Sequence, residues 1–172
     1  ESSMYSDPPL MLGSWHALKL AWDNLAGYND FHMLVWAKNS IIYTLGSVSL
    51  TLASCIPAGY VLAIAKVPGR RFILIMTLVA MITPSQAIVL PIFLEMTLLG
   101  LVNTYFGLII ASAFFPFGVY LSYIYFTTSM PLSVIESARI DGCGHFKTFF
   151  RIALPMSKPL IALVSFFSFV NN

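Results

Sequence analysis

Side chains able to make or break bonds are scarce in this chain, which has nine Lys+Arg, seven Asp+Glu, three His and two Cys among 172 residues. Cys55 and Cys143 stand 88 positions apart, and neither His16 nor His32 has a second ligand at metal spacing. Neither a disulfide framework nor a metal site is expected from that arrangement. The sequence holds no G-x-x-x-x-G-K-S/T phosphate loop, no H-E-x-x-H and no G-x-S-x-G, so it carries no signature for hydrolysing ATP or peptides itself. No catalytic residue, cofactor or metal is assigned. Patterned polar residues concentrate instead in one stretch, SMPLSVIESARIDGCGHFKTFFRIALPMSK at 129–158. Ser133 and Glu136 form an S-x-x-E capping box that predicts a short helix over about 133–141. Gly142 and Gly144 come next, as residues able to take positive φ at its end. A second helix is predicted beyond them, with Phe146, Phe149, Phe150 and Ala153 on one face and Lys147 and Arg151 on another. Pro155 and Pro159 are expected to close it. Two short helices joined by a glycine elbow suit docking rather than catalysis, either as an interfacial anchor or as a rigid knob for a protein socket.

Composition dictates the elements that must position this stretch. The chain is 58% hydrophobic and 9% charged, with a mean hydropathy of +0.83; a soluble domain is about 25% charged, so a water-facing surface cannot be assembled from this inventory. Disorder is excluded by the hydrophobicity. Nucleic-acid binding is excluded by a net charge of +2 spread over scattered basic residues. The expected fold is an all-α, multi-spanning helical membrane bundle.

Uncharged intervals locate the spans: 27 residues between Lys38 and Lys66, 23 between Arg71 and Glu95, and 40 between Glu95 and Glu136. A helix needs about 20 residues to cross the hydrocarbon. In the third interval, Gly100, Asn103, Thr104 and Gly107 read as a connection. Spans are therefore expected near 39–64, 72–94 and 105–128, preceded by an extracytoplasmic segment 1–38 and succeeded by the loop 129–158. After Lys158 only 14 uncharged residues remain, a partial fourth span at 159–172, and the chain is expected to be a fragment. Seven basic residues (Lys66, Arg70, Arg71, Arg139, Lys147, Arg151 and Lys158) share one side against Lys19 and Lys38 on the other, which assigns the richer side to the cytoplasm. Within 1–38, Trp15, Leu18 and Trp22 fall at helical spacing, suited to resting on the membrane surface or to meeting an external partner.

Prolines and glycines interrupt these spans: Pro57 and Gly59 in the first, Pro84 and Pro91 in the second, Pro116 and Gly118 in the third. They fit ordinary kinked packing or the broken helices that line a transport path. Thr83, Ser85 and Gln86 are placed to satisfy carbonyls freed by Pro84. Gly46, Ser47, Ser49, Ala53 and Ser54 would let helices approach closely. The polar span residues Gln86, Tyr120 and Tyr123 are candidates for lining a path. No buried acid or histidine relay accompanies them, so energy for transport would come from elsewhere.

The residues Glu136, Ser137, Ala138, Asp141 and Gly142, together with Ile152, Leu154 and Pro155 downstream, resemble the EAA loop of permease subunits of binding-protein-dependent ABC importers. Upstream, Asn39-Ser40, Pro68-Gly69-Arg70-Arg71 and Leu99-Gly100-Leu101-Val102-Asn103-Thr104 are similar to the carbohydrate-uptake, maltose-type branch of that family. Ser137 departs from the usual alanine and is small enough to fit. The resemblance implies a six-span subunit in the cell membrane of a prokaryote, paired with a second permease subunit, coupled to cytoplasmic ATP-binding subunits and fed by an extracytoplasmic solute-binding protein. Glu136 would meet a basic residue of the ATPase and Gly142 would set the elbow. The Phe146, Phe149 and Phe150 face would bury against neighbouring helices or the partner. A sugar or oligosaccharide is the implied cargo; another solute class such as a polyamine, phosphate or amino acid, or a non-transporting scaffold, is the alternative.

Overall fold

The computed structural model describes residues 15–27, 32–65 and 67–171. Expectations that touch residues 1–14, 28–31 and 172, Lys66, or the side chains of His16 and Ser85 lie outside the described residues. The described part is helical and contains no strand.

The chain divides into two compact units after Ile41. The first contains α1 (Trp15–Gly27) and the opening turns of α2 (Met33–Ile64). In α1, Trp15, Leu18 and Trp22 are all exposed, leaving the apolar side chains at helical spacing outside any core of this unit.

The second unit begins within α2 and continues through α3 (Arg70–Ile82), α4 (Ser85–Leu98), α5 (Tyr105–Ala113) and α6 (Pro116–Thr128). Among the described residues only α2, with 32 residues, is long and apolar enough to cross a membrane as one helix. The expected single spans at 72–94 and 105–128 are each broken in two: the pair Arg70–Ile82 and Gln86–Leu98 meets at 107°, and α5 meets α6 at 48°. The cause is local. Thr83 and Phe115 precede prolines and leave the helical region, with ψ of 122° and 80°, as the proline ring requires of its neighbour. Pro84 and Pro116 then stand at helix starts, where a missing N–H costs nothing. Thr83 Oγ1 donates to the Val79 carbonyl at 3.0 Å, which also accepts from the Thr83 N–H, so the bond closes the end of α3 and does not reach the Ala80 carbonyl that Pro84 leaves without a donor. Pro57 and Pro91, by contrast, lie inside continuous helices and break neither.

The connection expected at 96–107 is a turn closed at both ends. Gly100, at φ 66°, ends α4: its N–H donates to Thr97 O at 3.1 Å and that of Leu101 to Met96 O at 2.8 Å, the two-bond glycine cap of a helix end. Thr104 Oγ1 accepts from the Gly107 N–H at 3.0 Å and caps α5.

Small residues bring α2 against α5 and α6, but on a face only partly anticipated. Ser47, Thr51, Cys55 and Gly59 are the buried set at four-residue spacing, whereas Ser49, Ala53 and Ser54 are exposed. Gly46 faces Ile109, and a Cβ on Gly59 would lie 2.7 Å from the backbone of Ser122 and Tyr123. Cys55 Sγ donates to the Phe115 carbonyl at 3.4 Å, across the bend between α5 and α6. In lipid such close approach is the main source of helix attraction, through van der Waals contact.

Candidate coupling surface

The stretch 129–158 folds as α7 (Leu132–Ile140), α8 (His145–Thr148), a π-helical turn (Phe149–Ala153) and α9 (Leu154–Met156), leading into α10 (Lys158–Asn171). The predicted first helix is present but starts earlier than 133, and the capping box does not form. Pro131 occupies the cap position without a side-chain bond, so Ser133 is already inside the first turn, where its hydroxyl cannot reach the open N–H groups. Its carbonyl instead accepts from Ser137 Oγ at 2.8 Å.

At the other end Gly142 takes the conformation expected of it. Its φ is 75°, its N–H donates to Arg139 O at 3.0 Å, and the N–H of Cys143 donates to Ala138 O at 2.8 Å. Nothing lies within 4 Å of a Cβ built on Gly142, so backbone angle rather than space requires glycine. Gly144, at φ −69°, needs no such freedom.

The second helix does not stop at Pro155. It widens into a π turn, in which the Leu154 N–H donates back to Phe149 O, and runs on to Met156. A wider turn lengthens the local repeat and accommodates irregular bonding before a proline. The chain turns at Ser157 instead, with α8 to α9 meeting α10 at 77°. The buried Ser157 hydroxyl donates to the carbonyls of Ala153 and Leu154, groups that a helix end leaves open. Tyr125 Oη of α6 donates to Met156 O at 3.1 Å.

Two faces result. The inner face joins a core of Ile56 and Tyr60 from α2, Phe126 from α6, Met130, Ile135 from α7, Phe149 and Ala153 from the π turn, and Leu160 and Val164 from α10. The Phe149 and Tyr60 rings lie 5.0 Å apart, and Tyr60 meets Phe126 edge-on at 5.4 Å. Ala138 also points inward and is buried. The outer face presents Glu136, Ser137, Asp141 and Gly142, all exposed. The predicted aromatic face is split: Phe149 is buried, while Phe146 is 82% exposed and Phe150 59%, their rings stacked at 6.5 Å. Phe146 and Phe150, four positions apart, stay together on the outside, while Phe149 turns inward against Tyr60. Leu154 is half-buried and Pro155 exposed. Ile140, which helical spacing does not single out, is 87% exposed on the last turn of α7; an isoleucine between an Arg and an Asp is the one signal of it in the sequence.

The path candidates are dispersed. Gln86 lies on the first turn of α4, and Tyr120 and Tyr123 lie on α6 with ring centroids 6.2 Å apart. The Tyr123 hydroxyl is engaged by Arg70 Nη2 at 2.7 Å. Among the described residues no group of three His, Cys, Asp or Glu is placed to hold a metal.

Comparison with known proteins fits this architecture. Residues 55–172 match the family described as binding-protein-dependent transport system inner membrane component. The chain is 36% identical over 146 residues to the diacetylchitobiose uptake system permease protein NgcG of Streptomyces coelicolor, covering 84% of this chain and 48% of that protein. It is 31% identical over 137 residues to the arabinooligosaccharides transport system permease protein AraQ of Halalkalibacterium halodurans, covering 80% and 49%. Among solved structures, it matches a chain of a bacterial ABC transporter involved in the import of the acidic polysaccharide alginate with a TM-score of 0.71 and 29% identity, over 77% of this chain and 46% of that one. The chain thus spans about half the length of the curated relatives it matches. A helical bundle broken at prolines, carrying a hinged polar loop on one end, and matched over residues 55–172, places this chain in the family of binding-protein-dependent transport system inner membrane components, the permeases of ABC importers.

Proposed function

We propose that this chain forms part of the translocation pathway for a sugar or oligosaccharide and that its outer loop face, 129–158, receives force from a cytoplasmic ATPase. The observation that carries the reading is the two-faced loop. Ile140, Phe146 and Phe150 stand exposed among Glu136, Arg139, Lys147 and Arg151, a surface on which apolar anchors are rimmed by charge as at protein interfaces. Behind it, Ile135, Phe149 and Ala153 are fixed into the same core as α2, α6 and α10. A push on the outer face therefore moves the ends of three helices together instead of bending a loop. Glu136 is the group to pair with a basic ATPase residue, and Gly142 holds α7 and α8 at their angle.

The cargo assignment rests on the relatives, which are named for diacetylchitobiose and arabinooligosaccharides. The ATP-binding subunits, a second permease subunit and an extracytoplasmic solute-binding protein are the partners this role requires. ATP hydrolysis belongs to those ATP-binding subunits, which supply the differential affinity for inward and outward states that uphill import demands. Arg70, held to Tyr123 of α6, and the basic residues of the loop gather at one end of the bundle, the end assigned to the cytoplasm. Gln86, Tyr120 and Tyr123 are offered as groups along the path.

The test uses the full-length subunit expressed with its neighbouring transport genes. Ile140→Asp with Phe146→Asp is expected to leave the subunit in the membrane at normal level, abolish ATPase co-purification and stop sugar uptake. Retention of the ATPase and of uptake by that variant would sink the proposal.

A further inference from the structure

Apart from the loop, one cleft combines fixed positive charge with an apolar wall. It has a volume of about 690 Å³ and is lined by Val67, Gly69, Arg70, Arg71, Leu74 and Tyr123. None of the six is acidic. Arg70 is held in place twice, by its hydrogen bond to Tyr123 Oη at 2.7 Å and by its guanidinium carbon 5.1 Å from the centroid of the same ring. That fixes a long side chain whose ordering a ligand would otherwise have to supply. Arg71 beside it is exposed. Both stand on the first turn of α3.

The apolar surface farther along α3 identifies the ligand. On the face that carries Arg70, Arg71 and Leu74, the residues Ile75, Leu78, Met81 and Ile82 are 53%, 38%, 38% and 82% exposed, and α3 buries no residue at all. A dipositive, pre-ordered cleft thus opens onto a strip of uncovered apolar side chains one helix turn away. A free anion would use the first and leave the second bare. We propose that the cleft binds the phosphodiester headgroup of an anionic phospholipid, whose acyl chains lie along α3. Guanidinium groups pair with phosphate through parallel hydrogen bonds, and the arginines stand where a membrane-embedded helix meets the basic end of the bundle. The site pins α3 to α6 through Tyr123, so the lipid acts on the broken segment of the bundle and not on the loop.

The experiment is native mass spectrometry of the full-length complex released from nanodiscs containing phosphatidylglycerol and phosphatidylcholine with the same acyl chains. The wild type should retain phosphatidylglycerol preferentially. Arg70→Gln with Arg71→Gln should lower its retention about 25-fold, at roughly five-fold for each arginine near an anionic surface. Lys158→Gln, a basic residue at the same end but outside the cleft, should change retention by less than about two-fold. Equal retention of the two lipids by the wild type overturns the proposal even if the double variant does not assemble, and so does an equal loss in Lys158→Gln. Inorganic phosphate at millimolar concentration should not displace the lipid; displacement would make the ion the ligand and overturn the lipid assignment.

Discussion

The two ends of the second unit are built on different principles. Where α2, α6, the loop and α10 meet, Phe126, Ala153, Leu160 and Val164 are inaccessible or nearly so, and the rings of Tyr60, Phe126 and Phe149 lock together. Along α3 and α4 no described residue is buried; Phe72, Phe93 and Leu98 are exposed at 65%, 54% and 88%. The first region packs as one body. The second leaves its apolar surface to the bilayer or to other protein, although α3 still packs along α6, where Arg70 meets Tyr123. Apolar composition alone therefore does not mark a core, since α4 is as apolar in sequence as α2, α6 and α10.

Four sites probe that contrast, each read by thermal or denaturant unfolding of the purified full-length complex. Phe126→Ala should be the most damaging, costing about 3–5 kcal/mol as expected for an emptied aromatic site, and a loss below about 1 kcal/mol would mean that the base is not a packed unit. Gly142→Ala should cost about 1–2 kcal/mol because an L-residue is forced into left-handed backbone. Gly142→Asn should cost clearly less, since Asn tolerates that region; equal losses would show that side-chain bulk and not φ decides. Tyr60→Phe should raise stability by about 1 kcal/mol, because the buried Tyr60 hydroxyl has no hydrogen-bond partner among the described residues and an unsatisfied group costs about 1–3 kcal/mol; a loss of stability would show that the hydroxyl is satisfied after all. Phe93→Ala on α4 should change stability by less than about 0.5 kcal/mol, as at an exposed site, and a loss matching that of Phe126→Ala would erase the distinction between the regions.

Much of this arrangement is legible in the sequence, for identifiable reasons. Charge-free intervals mark apolar helices because an ionisable group in hydrocarbon is costly, by about 2.5–3.5 kcal/mol on insertion scales, and most of α2 to α6 falls inside them. Gly142 can be read because only a residue without a Cβ takes positive φ freely. Proline is the harder signal. The prolines at 57, 84, 91 and 116 all read as interruptions within the spans; two break the chain and two do not, because the effect depends on whether the preceding residue leaves the helical region. The candidate site is legible as a stretch but not as a surface. Helical spacing puts Phe146, Phe149 and Phe150 on one face, but the core takes Phe149 and leaves the other two outside.

The sequence by itself determined the membrane setting, the helical class, the position of the hinged loop and the glycine at its elbow, since each comes from local chemistry: apolar length, scarcity of charge and backbone freedom. Tertiary structure alone decided which side of the loop faces outward, that Ile140 belongs to it, that Cys55 and Gly59 rather than Ser49 and Ala53 form the close seam of α2, and that Arg70 is tied to Tyr123, 53 residues along the chain. These are contacts between elements distant in sequence. Their selection depends on how ridges, rings and small residues of several helices fill one volume together, a condition that no single segment can encode.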